Sequence, residues 1–219
     1  MLIKSAFEML KGVNGKLYYY VLSRMTQTFI FVDGSYYCFY RYYALLKWWK
    51  NAYPNDPLNN PYENDKFIEK FRKTFVSNLR DMPKRLGISI DPTIIVGRDC
   101  KRENIWRNKL FPNYKANRAP DDGFMGGPFF KMAYDEALFQ AGGATRIVHH
   151  PRLEADDCIA LSVQHVLSAY PDCRVTIITS DRDYLQLNAP NVKLYTLGYK
   201  NLADGKQREG RFAHQNPDG

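Results

Sequence analysis

Two short clusters of carboxylates dominate the chemistry that this sequence is able to perform. One is Glu154-Ala155-Asp156-Asp157 and the other is Ser180-Asp181-Arg182-Asp183. Crowded carboxylates repel one another unless a proton or a cation neutralises part of the charge. Mg²⁺ takes a few carboxylate oxygens together with water and substrate phosphate. The two clusters therefore predict a site for Mg²⁺ or Mn²⁺.

Short apolar runs predict the buried β-strands that would position these acids. They lie at residues 29–32, 93–96, 145–148, 175–179 and 192–195. Segments with helical features separate them, at about residues 35–50, 65–86, 129–141 and 154–170, and Ser35 is predicted to cap the first helix. Buried strands that alternate with helices are typical of an α/β fold with a parallel sheet covered on both faces.

Several of the acids follow directly after predicted strands. Asp33 ends the first strand, Asp99 lies just beyond the second, and Asp181 and Asp183 follow the fourth. Ligands of an open parallel sheet bind beyond the carboxyl ends of its strands. A single acid at such a place is explained as a helix cap or as a favourable charge at a helix N-terminus. Capping does not explain so many acids at one edge, whereas metal ligation does.

A basic stretch lies between the second strand and the first acidic cluster. Its cations are Arg98, Lys101, Arg102, Arg107, Lys109, Lys115 and Arg118, against only Asp99 and Glu103. From the charge pattern alone, a solvated surface explains such a stretch as well as a phosphate-binding surface does. The neighbouring acids favour phosphate, because metal-chelating carboxylates with a basic flank suit phosphodiester chemistry. Lys115 and Arg118 would share one face of a helix, and Tyr114 is placed to stack on a base.

Composition narrows the class of protein and of partner. The net charge of +8 favours a polyanionic partner, and a hydrophobic content of 45% is that of a folded protein. The four cysteines are widely spaced, which favours a reducing, intracellular compartment over a disulfide scaffold or a zinc site. No apolar run approaches the roughly 20 residues that a membrane helix needs, so neither membrane insertion nor secretion is expected.

Together these segments resemble the flap endonuclease and 5′–3′ exonuclease family, which includes the 5′ nuclease domain of bacterial DNA polymerase I and the phage 5′ nucleases. The matching pieces are Val32-Asp33-Gly34-Ser35, Asp99 with Trp106-Arg107, Tyr114-Lys115-Ala116-Asn117-Arg118, Glu154-Ala155-Asp156-Asp157 and the segment from Ser180 to Leu187. They occur in the family's order over about residues 28–196. One tetrapeptide would be weak evidence, but the ordered set is specific.

The resemblance implies a PIN-like three-layer fold, with a central, mainly parallel sheet and a flexible helical arch at about residues 100–128. It implies two ions of Mg²⁺ or Mn²⁺ per site. By resemblance, the ligands of the first ion and its water shell are Asp33, Asp99, Glu154, Asp156 and Asp157, and the acids between the two ions are Asp181 and Asp183. Lys115 and Arg118 would be the catalytic phosphate contacts, with Arg98, Lys101, Arg102, Arg107, Lys109 and Tyr114 as further nucleic-acid contacts.

The expected activity is metal-dependent hydrolysis of phosphodiester bonds at 5′ ends or flaps of DNA, in replication or repair. RNA primers and RNA–DNA hybrids are further candidate substrates. We expect an intracellular monomer that works at sites of DNA replication with replication proteins as partners. Two alternatives stay open: a non-catalytic nucleic-acid-binding subunit with a PIN-like fold, and a PIN-like ribonuclease.

Two features of the sequence depart from the family pattern. Tyr40 stands where the polymerase-linked members carry an arginine, and Arg41 comes one residue later. No helix–three-turn–helix element is recognisable after the last acids. We therefore expect an N-terminal extension of unassigned role at residues 1–25, the nuclease domain at 26–202, and a polar tail at 203–219 where that element would begin.

Overall fold

The computed structural model describes residues 27–89, 91–115 and 123–204. The strands are β1 (Thr28–Asp33), β2 (Thr93–Gly97), β3 (Ala144–Val148), β4 (Arg174–Ile178) and β5 (Val192–Tyr195). The α-helices are α1 (Gly34–Ala52), α2 (Asp65–Arg80), α3 (Met82–Arg85), α4 (Arg107–Leu110), α5 (Gly127–Asp135), α6 (Leu138–Ala141) and α7 (Ala155–Ala169). Short 3₁₀ turns occur at Pro61–Glu63, Arg102–Asn104 and Arg182–Leu187.

All five strands form one parallel sheet in the order β3-β2-β1-β4-β5. In the register, Asp33 pairs with Gly97 of β2, and Val32 pairs with Ile178 of β4. The carboxyl ends of the three central strands thus lie side by side. This confirms the predicted parallel α/β architecture and the predicted meeting of the strand ends.

The sheet separates two apolar cores because successive side chains of a strand point to opposite faces. On one face, Ile30 and Val32 pack with the buried aromatic residues of α1, α2, α5 and α6. On the other face, Phe29 and Phe31 pack with α7 and the turn at Arg182–Leu187. The result is the three-layer arrangement that the sequence predicted, with both faces of the sheet covered.

Helix α1 begins one residue earlier than expected, and its cap is Asp33 rather than Ser35. The Asp33 carboxylate accepts a hydrogen bond from the Tyr36 backbone N–H at 3.0 Å, which satisfies one of the unpaired donors of the first turn. The prediction that Ser35 caps the helix was therefore wrong. The Ser35 hydroxyl is left available for a different partner, described below.

Two predicted helices are interrupted in the structure. The helix expected at 65–86 ends at Arg80 and resumes at Met82, next to Pro83, which has no backbone N–H to donate. The helix expected at 129–141 is divided by Ala137, whose φ of 52° is left-handed. Both interruptions lie in helices that pack on the Ile30 and Val32 face of the sheet.

Some of the predicted features fall on residues that the structure does not describe. These are the extension at 1–25, the tail from 205 onward, and residues 116–122 of the arch, which include Arg118. Within the described ranges, no helix combines the length and the apolar character needed to cross a membrane.

Candidate active site

A cleft of about 590 Å³ lies at the carboxyl edge of the three central strands. Its lining includes Asp33, Asp99, Glu154, Asp156 and Asp181. Asp33 ends β1, Asp99 follows β2, Asp181 follows β4, and the other two acids lie at the start of α7. Five acids from four separate segments of the chain therefore meet in one cleft, at the carboxyl edge where the sequence placed them.

Close backbone packing beneath the cleft depends on Gly34. A Cβ atom at this position would lie 2.4 Å from the Tyr134 hydroxyl oxygen and 2.5 Å from the carbonyl oxygen of Gly97. Such distances are not tolerated between real atoms, so the start of α1 approaches the end of β2 only because residue 34 has no side chain. That approach brings Asp33 and Asp99 to the same cleft.

Three of the cleft carboxylates each accept one hydrogen bond, which a nearby backbone N–H group donates to one of the two carboxylate oxygens. Asp33 Oδ1 accepts from Tyr36 at 3.0 Å, Asp156 Oδ1 accepts from Asp157 at 2.7 Å, and Asp181 Oδ1 accepts from Asp183 at 2.9 Å. Within the described residues, the Oδ2 atoms of Asp33, Asp156 and Asp181 accept no hydrogen bond. These three acids are therefore fixed in place, and each keeps one oxygen available to a ligand.

Both carboxylate oxygens of Asp99 accept hydrogen bonds, and both donors are neutral groups. The Ser35 hydroxyl donates to Oδ2 at 2.5 Å, and the Ala155 backbone N–H donates to Oδ1 at 2.7 Å. The first contact joins the start of α1 to the end of β2, and the second joins the end of β2 to the start of α7. Neither contact neutralises the charge of Asp99, so its oxygens remain able to accept a cation.

Glu154 is the most buried acid of the cleft, with an exposed fraction of 6%, and it is fully engaged by cations and a hydroxyl. Lys115 Nζ lies 2.5 Å from Oε1, while Arg107 Nη1 and the Tyr114 hydroxyl lie 3.1 and 2.9 Å from Oε2. Burial alone lowers the pKa of the Lys115 ammonium, but the contacts with Glu154 outweigh it, and the pKa is raised. The Lys115 ammonium thus stays charged beside Glu154.

Asp157 is not among the residues that line the cleft, and it pairs with Arg107. The guanidinium makes two contacts, at 2.6 and 2.8 Å, and the Trp106 indole N–H donates to the same carboxylate at 3.1 Å. Burial acts to raise the pKa of Asp157, but hydrogen bonds from Arg107 and Trp106 offset this and lower it. The structure therefore places Asp157 in a closed ion pair behind Glu154.

The negative charge at the centre of the cleft is not balanced by the cations described. Burial, together with the negative charges of Asp99, Asp156 and Asp181, raises the pKa of Asp33 to about 6, against the backbone hydrogen bond from Tyr36, which acts to lower it. Burial also raises the pKa of Asp156. Like charges crowded in this way are stabilised by a bound cation.

The donor set suits a hard divalent ion. Carboxylate oxygens of Glu154, Asp156 and Asp157 lie within 4.8 Å of one another. Cys100 also lines the cleft, but burial and the neighbouring acids raise the pKa of its thiol, which disfavours the thiolate form that binds metal, so the available donors are oxygens. Oxygen-only sites are those that Mg²⁺ and Mn²⁺ prefer. An orphaned hydroxyl also lies near the acids: within the described residues, the buried Tyr184 hydroxyl has no hydrogen-bond partner.

Asp183 differs from the other predicted ligands. It is exposed, it does not line the cleft, and its backbone N–H donates to Asp181. This tight Asx turn sets the direction of Asp181 while the side chain of Asp183 projects to solvent. The turn that the sequence required between these two acids is present.

The predicted nucleic-acid contacts are distributed between the cleft and the surrounding surface. Arg102 and Lys115 line the cleft, and Arg102 Nη2 donates to the Lys115 carbonyl oxygen at 2.6 Å. Lys115 has a φ of 55°, so the helix on which it would share a face with Arg118 does not extend to it. Lys101, Lys109 and Arg98 are exposed, and the Arg98 guanidinium lies 4.3 Å from the centre of the Tyr134 ring.

Three residues that contribute to the site were not among the predicted site residues. Ser35 was interpreted as a helix cap, and Trp106 and Tyr184 were noted only as parts of matching motifs. Ser35 lies two residues after Asp33, which is a signal that a hydroxyl lies near the acids. No sequence signal identifies Tyr184, since an aromatic residue after a turn is equally expected of an ordinary core residue.

Comparison with known proteins agrees with this geometry. Residues 28–213 match the family model described as the 5′–3′ exonuclease, N-terminal resolvase-like domain. The flap endonuclease Xni of Yersinia pseudotuberculosis serotype O:1b (strain IP 31758) is 34% identical over 122 residues, which cover 53% of this chain and 45% of that protein. The Xni protein of Yersinia pestis bv. Antiqua (strain Angola) has the same identity, and 52% of its length is covered. The chain spans about half the length of these curated relatives.

A solved structure shows the same fold. The bacteriophage T5 D15 flap endonuclease, crystallised as a pseudo-enzyme–product complex with DNA and metal ions, superposes with a TM-score of 0.51 at 20% identity. The match covers 80% of this chain and 57% of that protein. At this identity the likeness establishes the PIN-like α/β fold alone. Because the family model spans nearly the whole described region, the chain belongs to the 5′–3′ exonuclease family through its N-terminal resolvase-like domain.

Proposed function

We propose that this chain is a divalent-cation-dependent, structure-specific 5′ nuclease that hydrolyses phosphodiester bonds of DNA at 5′ ends and flaps. The observation that carries the proposal is the arrangement of Asp33, Asp156 and Asp181. Each is fixed by a backbone N–H through one oxygen and has no hydrogen bond on the other within the described residues. Prepositioned oxygens on crowded acids are what a catalytic cation site requires.

We propose that the cleft takes two ions of Mg²⁺ or Mn²⁺. Asp33, Asp156 and Asp181 would hold them directly, with Asp99 as a further ligand oriented by Ser35 and the Ala155 N–H. Such ions, when bound, lower the pKa of water and stabilise charge on phosphate oxygens. Glu154 and Asp157 would then act mainly through the cations that they hold in position.

Lys115 supplies the positive charge nearest to the acids. Its ammonium is only 25% exposed and is held by Glu154, so it is fixed at the wall of the cleft rather than free in solvent. A phosphodiester that enters the cleft would meet the Lys115 ammonium and the Arg102 guanidinium from one side and the acids from the other. A fixed cation stabilises the charge of a pentacoordinate phosphate better than a mobile one, because no reorganisation is needed.

Several observations favour DNA as the substrate. The Yersinia relatives are named flap endonucleases, and the T5 protein was crystallised with DNA. The chain also carries a net charge of +8, which favours a polyanionic partner such as a phosphate backbone. RNA–DNA hybrids offer the same backbone charge and remain a second substrate class to be measured, and the proteins of the replication machinery remain candidate partners.

A cleavage assay with a 5′-flap DNA substrate and Mg²⁺ tests the proposal. We expect Asp181→Asn to lower the cleavage rate at least about 100-fold, since losing a group that only orients a metal ligand already costs about 10- to 100-fold and Asp181 is a proposed direct ligand. The matched control is Asp172→Asn, which removes the same charge from an exposed position before β4, at the opposite edge of the sheet.

The outcomes separate the candidate functions. Equal cleavage by wild type and Asp181→Asn would exclude the catalytic role of the acids. Binding of flap DNA that is independent of metal, with no cleavage by wild type, would identify a non-catalytic binding subunit. Faster cleavage of single-stranded RNA than of flap DNA would identify a PIN-like ribonuclease instead.

A further inference from the structure

The hydroxyl group of Tyr184 is buried without a hydrogen-bond partner. The side chain is only 3% exposed, and within the described residues no donor or acceptor meets its Oη atom. A buried hydroxyl that makes no hydrogen bond destabilises the folded protein, because it loses its hydrogen bonds to water and gains none within the protein. Such groups are rare in folded proteins, and each one calls for an explanation.

The position of Tyr184 connects this hydroxyl with the acidic cleft. Tyr184 is the third residue after Asp181, in the turn that begins at Arg182, and its ring packs in the core on the α7 face of the sheet. The same core contains Ile159 of α7 and Leu194 of β5. The turn that follows Asp181 at the cleft thus also fixes the ring of Tyr184 in the core beside α7.

The charges that act on the hydroxyl are those of the site itself. Burial, followed by the negative charges of Asp33, Asp156, Asp99 and Asp181, raises the pKa of Tyr184. The hydroxyl therefore carries its proton at neutral pH and is a donor. Within the described residues none of these four carboxylates accepts this proton, although Asp33, Asp156 and Asp181 each keep an oxygen that accepts no hydrogen bond.

We propose that Tyr184 is a positioning residue whose hydroxyl donates a hydrogen bond to the oxygen shell of the bound cation. The acceptor is a carboxylate oxygen, or a water of the hydration shell, that takes its place only when the cation is present. This inference depends on the proposed function, because it requires the cleft to bind a divalent ion. In this role Tyr184 does not bind the ion itself. Its hydrogen bond orients the groups that do, and it thereby raises the affinity of the cleft for the ion.

The substitution Tyr184→Phe isolates the hydroxyl, since phenylalanine keeps the ring and its packing. Stability is measured by urea unfolding in EDTA, and the affinity for Mg²⁺ is obtained from the dependence of the unfolding midpoint on Mg²⁺ concentration. In EDTA we expect Tyr184→Phe to be at least as stable as wild type, because an unsatisfied hydroxyl is removed. With Mg²⁺ we expect an apparent Kd about 10-fold weaker, the usual effect of losing an outer-shell donor.

Tyr37→Phe is the matched control. The Tyr37 hydroxyl is also buried, but it donates to the Phe75 carbonyl oxygen at 2.8 Å, in the core on the other face of the sheet. This variant should lose stability in EDTA and keep the wild-type Kd for Mg²⁺. The two substitutions thus remove the same atom with opposite expected patterns, which a general effect of Tyr-to-Phe replacement would not produce.

Each outcome decides a different point. A Kd for Mg²⁺ that is unchanged in Tyr184→Phe would overturn the role of Tyr184 and leave the proposed nuclease function standing. Lower stability of Tyr184→Phe in EDTA would also overturn it, since the hydroxyl would then already have a partner in the metal-free protein. Wild-type protein whose stability does not respond to Mg²⁺ or Mn²⁺ would overturn both the role of Tyr184 and the proposed metal site.

Discussion

Replacing Asp33 by asparagine is expected to stabilise the metal-free protein. Its carboxyl group has a pKa of about 6 in the folded protein, against 3.8 for the unperturbed group, because burial and three neighbouring acids disfavour the charged form. A difference of about 2 pKa units corresponds to a free-energy penalty of at most about 3 kcal/mol when the group is ionised. Asparagine keeps the cap to Tyr36 and has no charge, so we expect a gain of about 1–3 kcal/mol at pH 7.5.

The sign of the pH dependence follows from the raised pKa. The folded protein binds the proton of Asp33 more tightly than the unfolded chain does, so the penalty is complete above about pH 6 and disappears as the pH falls toward 4. The advantage of Asp33→Asn over wild type should therefore be largest at pH 7.5 and small at pH 4. Measuring the difference between variant and wild type cancels the contributions of other titrating groups.

Urea unfolding in EDTA at pH 7.5 and at pH 4 measures this difference. Asp172→Asn, which removes an exposed carboxylate at the opposite edge of the sheet, is the control and should change stability by less than about 0.5 kcal/mol. In saturating Mg²⁺ wild type should be the more stable of the two, because binding of the ion stabilises the folded wild type and the variant has lost a ligand for it. If Asp33→Asn were no more stable than wild type in EDTA at pH 7.5, the inference of uncompensated charge in the cleft would be wrong.

Three other predictions concern the scaffold and the ion. Arg107→Ala should cost about 1–3 kcal/mol at pH 7, since it leaves Asp157 unpaired in a site that is only partly exposed. Because the pKa of Asp157 is lowered in the folded protein, this cost should be present above about pH 4 and be lost as the pH falls further, and a cost independent of pH between 2 and 7 in urea unfolding would contradict it. Gly34→Ala should cost about 1–3 kcal/mol through the contact of its Cβ with Tyr134 and the Gly97 carbonyl, and a urea midpoint equal to that of wild type would show that the two segments separate easily. Addition of Mg²⁺ at about 100 times its Kd should raise the free energy of unfolding by about 2.7 kcal/mol, a change that calorimetry detects and that EDTA should abolish.

The sequence determined that the sheet is parallel and that the acids meet at the carboxyl edge of its strands. The apolar runs of β1, β2 and β4 predict strands that are buried on both faces, and helices between them require a parallel sheet. Since the carboxyl ends of parallel strands share one edge, the acids that follow these strands must lie close together. Asp33, Asp99 and Asp181 could be placed together in this way without coordinates.

The tertiary structure decided how each of those acids is used. Asp33 and Asp181 keep an available oxygen, whereas Glu154 is held by Lys115 and Arg107, which come from segments 39 and 47 residues earlier. No local pattern encodes such pairings, because they depend on where the basic segment returns to the sheet after the end of β2. The same reason explains Ser35, whose short side chain fits a helix cap equally well until the position of Asp99, 64 residues away, is known. Strand periodicity and parallel pairing set the common edge, whereas the partner of each charged oxygen was set by packing between distant segments.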